Sequence, residues 1–186
     1  SRLGVWEWNV QTNELVLNET WAELIGYTRE ELEPYSYATW EGLVHPDDLE
    51  RAKDALFSCV EGKRSHYDCE IRMRHKSGHW VWILDRGKVF ARDAACKPLL
   101  MFGTHTDITT IKRAEEEVQA TSELLSQFIK NSPIYAYIKE VSPTQSMTLK
   151  ASDNFQDMIG IPVAEMLGKT MAELFPPEFA AQITAD

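Results

Sequence analysis

Cysteine is scarce: Cys59, Cys69 and Cys96 are the only three in 186 residues. An odd number without close spacing describes neither a disulfide framework nor a zinc site. It fits free thiols, buried or half-buried, in a reducing compartment. Long apolar runs are also missing. None approaches the ~18 residues of a membrane span, and the first residues carry no signal-peptide pattern. Positive charge is short as well, with 19 Lys and Arg against 29 Asp and Glu for a net charge of −10. The basic runs, Lys63-Arg64 and Arg72 to Lys76, lie among acids. A nucleic-acid binder needs a cationic stripe that displaces counterions from phosphate, so the charge pattern argues against DNA or RNA. No Ser/His/Asp or Cys/His set, phosphate-cradling glycine loop or metal motif is present, which argues against catalysis by this segment. The expected setting is cytoplasmic, without membrane contact by the segment itself, whether or not a parent protein is membrane-anchored.

What is present is an apolar share of 44%, enough for a packed core. The pattern changes period along the chain. Trp6, Trp8 and Val10 share one face at strand spacing, Gln11 to Glu14 supplies a turn, and Leu15-Val16-Leu17 returns, which predicts a hairpin. Trp21, Leu24 and Ile25 then fall at helical spacing and stop at Gly26. Thr28 with Glu31 forms a capping box for another helical turn, ended by Pro34. Trp40 to Val44 is short and amphipathic. After His45-Pro46, Asp47 or Asp48 is expected to cap a longer helix with Leu49, Ala52, Leu56, Phe57 and Val60 on one side.

From Tyr67 to Arg74 apolar and charged residues alternate strictly. Lys76-Ser77-Gly78 turns, His79 to Ala91 makes a second strand, Asp93 to Pro98 turns again, and Leu99 to Ile108 makes a third. Short connections predict antiparallel pairing with one face packed on helices, an α+β class. From Thr110 the helical period returns. Ile111, Val118 and Leu125 repeat every seven residues, each followed three later by Ala114, Thr121 and Phe128. That seam suits either a parallel dimer helix or a lone amphipathic helix lying on its own domain; Asn131-Ser132-Pro133 ends it.

The segment after this helix repeats the beginning. Leu3 to Trp8 corresponds to Ser132 to Tyr137, Asn18 to Gly26 to Ser152 to Gly160, Thr28 to Leu32 to Pro162 to Met166, and Leu43 to Asp47 to Leu174 to Glu178. The organisation is therefore a domain over 1–109, a linker helix over 110–131, and the first half of a second copy over 132–186. About 55 residues rarely support a core of their own. The second copy is expected to be either poorly ordered or completed by another molecule, with its first strand near Ile134 to Ile138. The chain reads as a piece that continues, past residue 186, into strands resembling Tyr67 to Ile108.

The first copy resembles a PAS domain with its C-terminal PAC motif. The carriers are Asn18-Glu19-Thr20-Trp21 with Ile25-Gly26-Tyr27, Trp40 to Asp48, Arg72 to Trp82, and Gly103-Thr104-His105-Thr106-Asp107-Ile108-Thr109 followed by Lys112 to Glu116. The resemblance implies a five-stranded antiparallel sheet with its first strand beside its last, short helices on one face, and a pocket between them. It also implies a sensory or regulatory role upstream of a histidine kinase or a cyclic-di-GMP enzyme, with signal passing through the helix after the Asp-Ile-Thr element. On that fold the pocket walls are Leu24, Ile25, Trp40, Val44, Leu56, Phe57, Ile71, Met73, Trp82 and Met101. The relay residues are Arg86, Asp107, Ile108 and Thr109, with Arg86 expected to reach Asp107 diagonally across the ladder. Haem-binding relatives carry an axial histidine on the long helix. Here Asp47 to Glu61 has none, and His45 reads as a turn or capping residue. The reactive cysteine context of light-sensing relatives is not found around Cys59. A non-covalent flavin or a small metabolite stays open, and so does a filled pocket in a module that serves only as a dimerisation or relay element. A downstream effector domain and a homodimer through the linker helix complete the expectation.

Overall fold

The computed structural model describes residues 2–142 and 145–177; Glu178 and the residues after it, part of the expected repeat, lie outside them. The chain divides into two compact units, residues 1–114 and 115–186.

The first unit holds strands β1 (Leu3–Asn9), β2 (Leu15–Leu17), β3 (Tyr67–Arg74), β4 (Trp80–Arg92) and β5 (Pro98–Asp107). Helices α1 (Glu19–Leu24), α2 (Arg29–Leu32), α3 (Tyr37–Leu43) and α4 (Pro46–Val60) lie between β2 and β3. The strands form one antiparallel sheet in the order β2-β1-β5-β4-β3. The first strand thus pairs with the last, as the PAS resemblance implies. Period-two alternation turns Tyr67, Cys69, Ile71 and Met73 of β3 inward, and Val81, Ile83 and Asp85 of β4 with them. The helices cover that face, and Trp21, Ile25, Trp40, Leu43, Ala52 and Leu56 bury against it. At ~25 cal/mol per Å² of apolar surface, this one contiguous core is the main stabilising term.

Local chemistry starts the helices. Asn18 Oδ1 accepts from the Trp21 N–H at 2.9 Å and caps α1. Thr28 and Glu31 form the expected capping box of α2. The start of α4 differs from expectation. His45 is the N-cap, with its Nδ1 accepting from the Asp47 N–H at 3.2 Å, and Pro46 occupies the first helical position. Proline there has a pre-set φ and no N–H to satisfy, so the helix begins before either aspartate, and Asp48 turns inward.

In the second unit, β6 (Tyr137–Val141) pairs with β7 (Ser146–Ala151), and helices α6 (Phe155–Ile159), α7 (Val163–Met166) and α8 (Met171–Leu174) follow. Two strands and then three short helices repeat the order of the first unit, around a small core of Ala151, Phe155 and Met166. Hydrogen bonds correct the repeat alignment. The Val5 N–H donates to Asn18 Oδ1 and the Asn18 N–H to the Val5 carbonyl; likewise the Ala136 N–H donates to Ser152 Oγ and the Ser152 N–H to the Ala136 carbonyl. Val5 therefore corresponds to Ala136, two residues later than the spacing of aromatic residues suggests, and the strand begins at Tyr137 rather than Ile134. A shift of two keeps every side chain on its face, which is why the pattern alone does not detect it. Helix α5 (Thr109–Lys130) runs across the boundary between the units.

Candidate functional site

The inward face of the first sheet carries two residues that an apolar core does not need. Asp85 on β4 and His105 on β5 stand opposite each other and are 2% and 1% exposed. In the next row, Trp6, Gly103 and Gly87 lie side by side on β1, β5 and β4. The two glycines leave room for the Trp6 ring to lie flat over the sheet: a Cβ on Gly87 would sit 2.6 Å from Trp6 Cη2. So placed, Trp6 Nε1 donates to Asp85 Oδ1 at 2.9 Å, and from the other side Tyr67 donates its hydroxyl to Asp85 Oδ2 at 3.1 Å. Burial, and then the Asp85 charge, push the Tyr67 phenol far up, so it stays a donor. His105 Nε2 lies 3.1 Å from Asp85 Oδ1 but makes no aligned hydrogen bond with it. Trp21 stacks on the His105 ring at 5.1 Å.

Above this row is a cavity walled by Trp6, Trp8, Leu15, Trp21, Tyr37, Trp40, Leu56, Asp85 and His105. Its unfilled space with the mouth is about 360 Å³, of which about 30 Å³ is open to the centre of a water molecule. The smaller figure decides what fits. It holds one or two waters, or a group of similar size, and falls well short of the ~300–1,000 Å³ of a drug-sized pocket. Four buried polar atoms of the lining residues, Trp21 Nε1, Trp40 Nε1, the Tyr37 hydroxyl and His105 Nε2, have no hydrogen-bond partner among the described residues; the first three are donors. Burial first, then Glu41 and Glu50, push the Tyr37 phenol up to about 12.

Of the pocket residues expected from sequence, Trp40 and Leu56 line the cavity. Ile25, Val44, Ile71, Met73 and Met101 are buried core, and Leu24 packs at the core margin. Phe57 is 40% exposed, at the rim against Trp8 and Tyr37. Trp82 is not a wall: it falls between the inward Val81 and Ile83 and faces the outer side of the sheet. Arg86 and Asp107 do not meet. Arg86 pairs with Thr104 in register while Asp107 stands beside Ile83, so the two have opposite parity as well as three residues of offset. Arg86 Nε instead donates to Asp68 Oδ2 at 2.6 Å, directly across on β3. Sequence reasoning missed Asp85 and His105. The signal available was parity: Val81, Ile83 and Asp85 alternate in step, which puts a carboxylate on the buried face.

A second polar arrangement links α4 to α5. Asp48 accepts from Arg72 Nε at 2.8 Å, from its terminal nitrogen at 3.0 Å and from its backbone N–H at 3.0 Å. Burial alone would raise the Asp48 carboxyl; the Arg72 bonds and charge outweigh it and hold the group below the usual carboxylate range. The Arg72 guanidinium lies over the Trp82 ring at 5.4 Å, and Lys112 Nζ lies over the same ring at 5.6 Å while pairing with Glu70 at 2.7 Å. The Trp82 N–H donates to Thr109 Oγ1 at 3.0 Å, and the Ile108 N–H donates to the Trp82 carbonyl at 2.9 Å. Asp107 Oδ1 accepts from the Thr109 N–H at 2.8 Å.

Residues 14–105 match the PAS fold and residues 135–186 match the PAS domain. A sensory box histidine kinase/response regulator from Burkholderia thailandensis superposes with a TM-score of 0.59 at 32% identity, over 68% of this chain and 92% of that one. This chain belongs to the PAS family. The two-component sensor PprA of Pseudomonas aeruginosa is 25% identical over 154 residues, 79% of this chain and 16% of that protein. The probable diguanylate cyclase DgcE of Escherichia coli is 27% identical over 112 residues, 60% of this chain and 10% of that protein. The chain thus spans a small fraction of the curated relatives it matches, all of them multidomain signalling proteins. Among the described residues of these PAS units, no helix is long and apolar enough to cross a membrane.

Proposed function

We propose that this chain is the sensory and regulatory part of a larger cytoplasmic-facing signalling protein. An event at the cavity of the first PAS domain alters helix α5, and through it an effector domain, a histidine kinase or a cyclic-di-GMP enzyme. The observation that carries this reading is the tie between β4 and the first turn of α5, made by Trp82 with Thr109 Oγ1 and with the Ile108 N–H. The same strand carries Asp85 at the cavity. Asp48 on α4 holds Arg72, whose guanidinium lies over the Trp82 ring. A small movement of β4 or α4 therefore reaches α5 through packed groups. The relatives, named as a hybrid signal transduction histidine kinase, a two-component sensor and a probable diguanylate cyclase, support the class of effector.

The relay is tested at Thr109. Thr109→Val keeps the shape and removes the acceptor. In the full-length signalling protein, effector output is expected to lose its response to signal, with amide hydrogen exchange at Ile111 to Arg113 speeded about tenfold, while stability falls by no more than ~1.5 kcal/mol. An output that responds as before would overturn this route.

Association through α5 belongs to the same proposal. Ile111, Val118 and Leu125, spaced by seven, are 57%, 70% and 44% exposed, and a symmetry mate would bury such a seam. Val118→Lys with Leu125→Lys is expected to turn a dimer into a monomer in analytical ultracentrifugation. A wild-type chain that stays monomeric at high concentration would rule out the dimer. The small cavity favours a second reading, in which the domain relays an upstream signal with a filled pocket; a response of α5 that is unchanged by mutations of the cavity wall would select it.

A further inference from the structure

The cavity wall has a chemistry of its own. Trp21, Trp40 and Tyr37 present hydrogen-bond donors that no described residue satisfies, and Trp21 and Trp40 are 1% and 7% exposed. A buried donor left without an acceptor is expensive, and three on one small wall point to an acceptor that comes from outside the protein. Asp85 sets the charge. Each of its oxygens has accepted one aligned bond, from Trp6 and from Tyr67, and a carboxylate oxygen can take two; His105 Nε2 stands 3.1 Å from Oδ1, so the site for one more donor that remains is on Oδ2.

An anion would meet the Asp85 carboxylate on a wall that contains no lysine or arginine and whose one basic side chain, His105, already faces that carboxylate at 3.1 Å. A cation would find a carboxylate already engaged by Trp6 and Tyr67, and indole N–H edges, which are the positive part of the ring. Resting on the sensory reading above, we propose that this cavity takes a small uncharged polar molecule, a short alcohol or primary amide. Its oxygen accepts from two of the three donors Trp21, Trp40 and Tyr37, as many as its lone pairs allow, and its own O–H or N–H donates to Asp85. The space admits roughly the bulk of one or two waters in the closed form, which restricts the class to the smallest members; Tyr37 and Phe57 at the rim are the groups that would yield to a slightly larger one.

The test follows the tryptophan indole ¹H–¹⁵N signals of the whole chain during titration with formamide, methanol, sodium acetate and tetramethylammonium chloride. Saturable shifts of Trp21 and Trp40 with formamide or methanol are expected, while Trp80 and Trp82, away from the cavity, move only linearly. Tyr37→Phe should weaken binding by about three- to tenfold and leave the melting temperature unchanged or raised, because it deletes an unsatisfied hydroxyl. Saturation by acetate or by tetramethylammonium would overturn the ligand class and leave the sensory reading standing. No saturable shift with any probe would overturn the ligand site itself, and the Thr109→Val measurement would then decide alone whether the domain still relays a signal.

Discussion

Substituting alanine for Gly103 is expected to be the most damaging single change in the first PAS domain, at about 3 kcal/mol or more of stability in urea unfolding. A Cβ at this position would overlap the Trp6 ring and the Arg86 carbonyl oxygen. The ring is held on Asp85 and the carbonyl belongs to the neighbouring strand, so neither can yield cheaply. Trp6 would be forced off the sheet, its bond to Asp85 would break, and the buried carboxylate would lose a donor. Gly42 supplies the contrast, since nothing lies within 4 Å of a Cβ built there. Gly42→Ala, in helix α3, should be neutral or stabilising by up to ~1 kcal/mol. Equal effects at the two positions would contradict this account of the glycine row.

Arg72→Met is expected to cost about 2–4 kcal/mol at neutral pH. The variant takes both guanidinium bonds from Asp48, which is 6% exposed, and leaves it the backbone N–H of residue 72 and Arg51 at 3.5 Å; the lower part of that range reflects this residual support and the Arg72 side chain, which is 27% exposed. The sign of the pH dependence is a sharper test. In the wild type the Asp48 carboxyl is depressed, so its contribution is present above the unfolded carboxylate value of about 3.9 and is lost as pH falls through its lower folded value. In the variant the bonds and charge of the guanidinium no longer offset burial, and only the backbone N–H and Arg51 still do, so the carboxyl rises from its wild-type value. Its protonation as pH falls then relieves the folded state. The difference between variant and wild type should therefore shrink from pH 7 to about pH 4 in denaturant unfolding. A difference that is constant over this range would show that Arg72 acts by packing on Trp82 and not through Asp48.

Much of the architecture was legible because it rests on local rules. The strict alternation over Tyr67 to Arg74 marks a half-buried strand wherever it occurs, and Thr28 with Glu31 makes its capping box from four residues. The ordered aromatic and glycine motifs, with their partial second copy, carried the family. The individual misreadings have a common character. The α4 cap was displaced by two or three residues because Pro46, not the acidic pair, sets the first turn. The repeat was read two residues out because period two is blind to such a shift. Trp82 was read as a pocket wall although its parity points it outward.

By itself, the sequence determined the α+β class, the order of elements, the repeat, and the free-thiol, acidic character of the chain; each depends on composition or on neighbours a few residues apart. Only the tertiary structure decided which residues meet. The register between β4 and β5 places Arg86 beside Thr104 and opposite Asp68, away from Asp107. The Gly103–Gly87 row lets Trp6 reach a carboxylate 79 positions away. The size of the cavity follows from how five aromatic rings pack at once. Pairings and voids of that kind arise from strand register and close packing between distant segments, and period and spacing along one chain do not encode them.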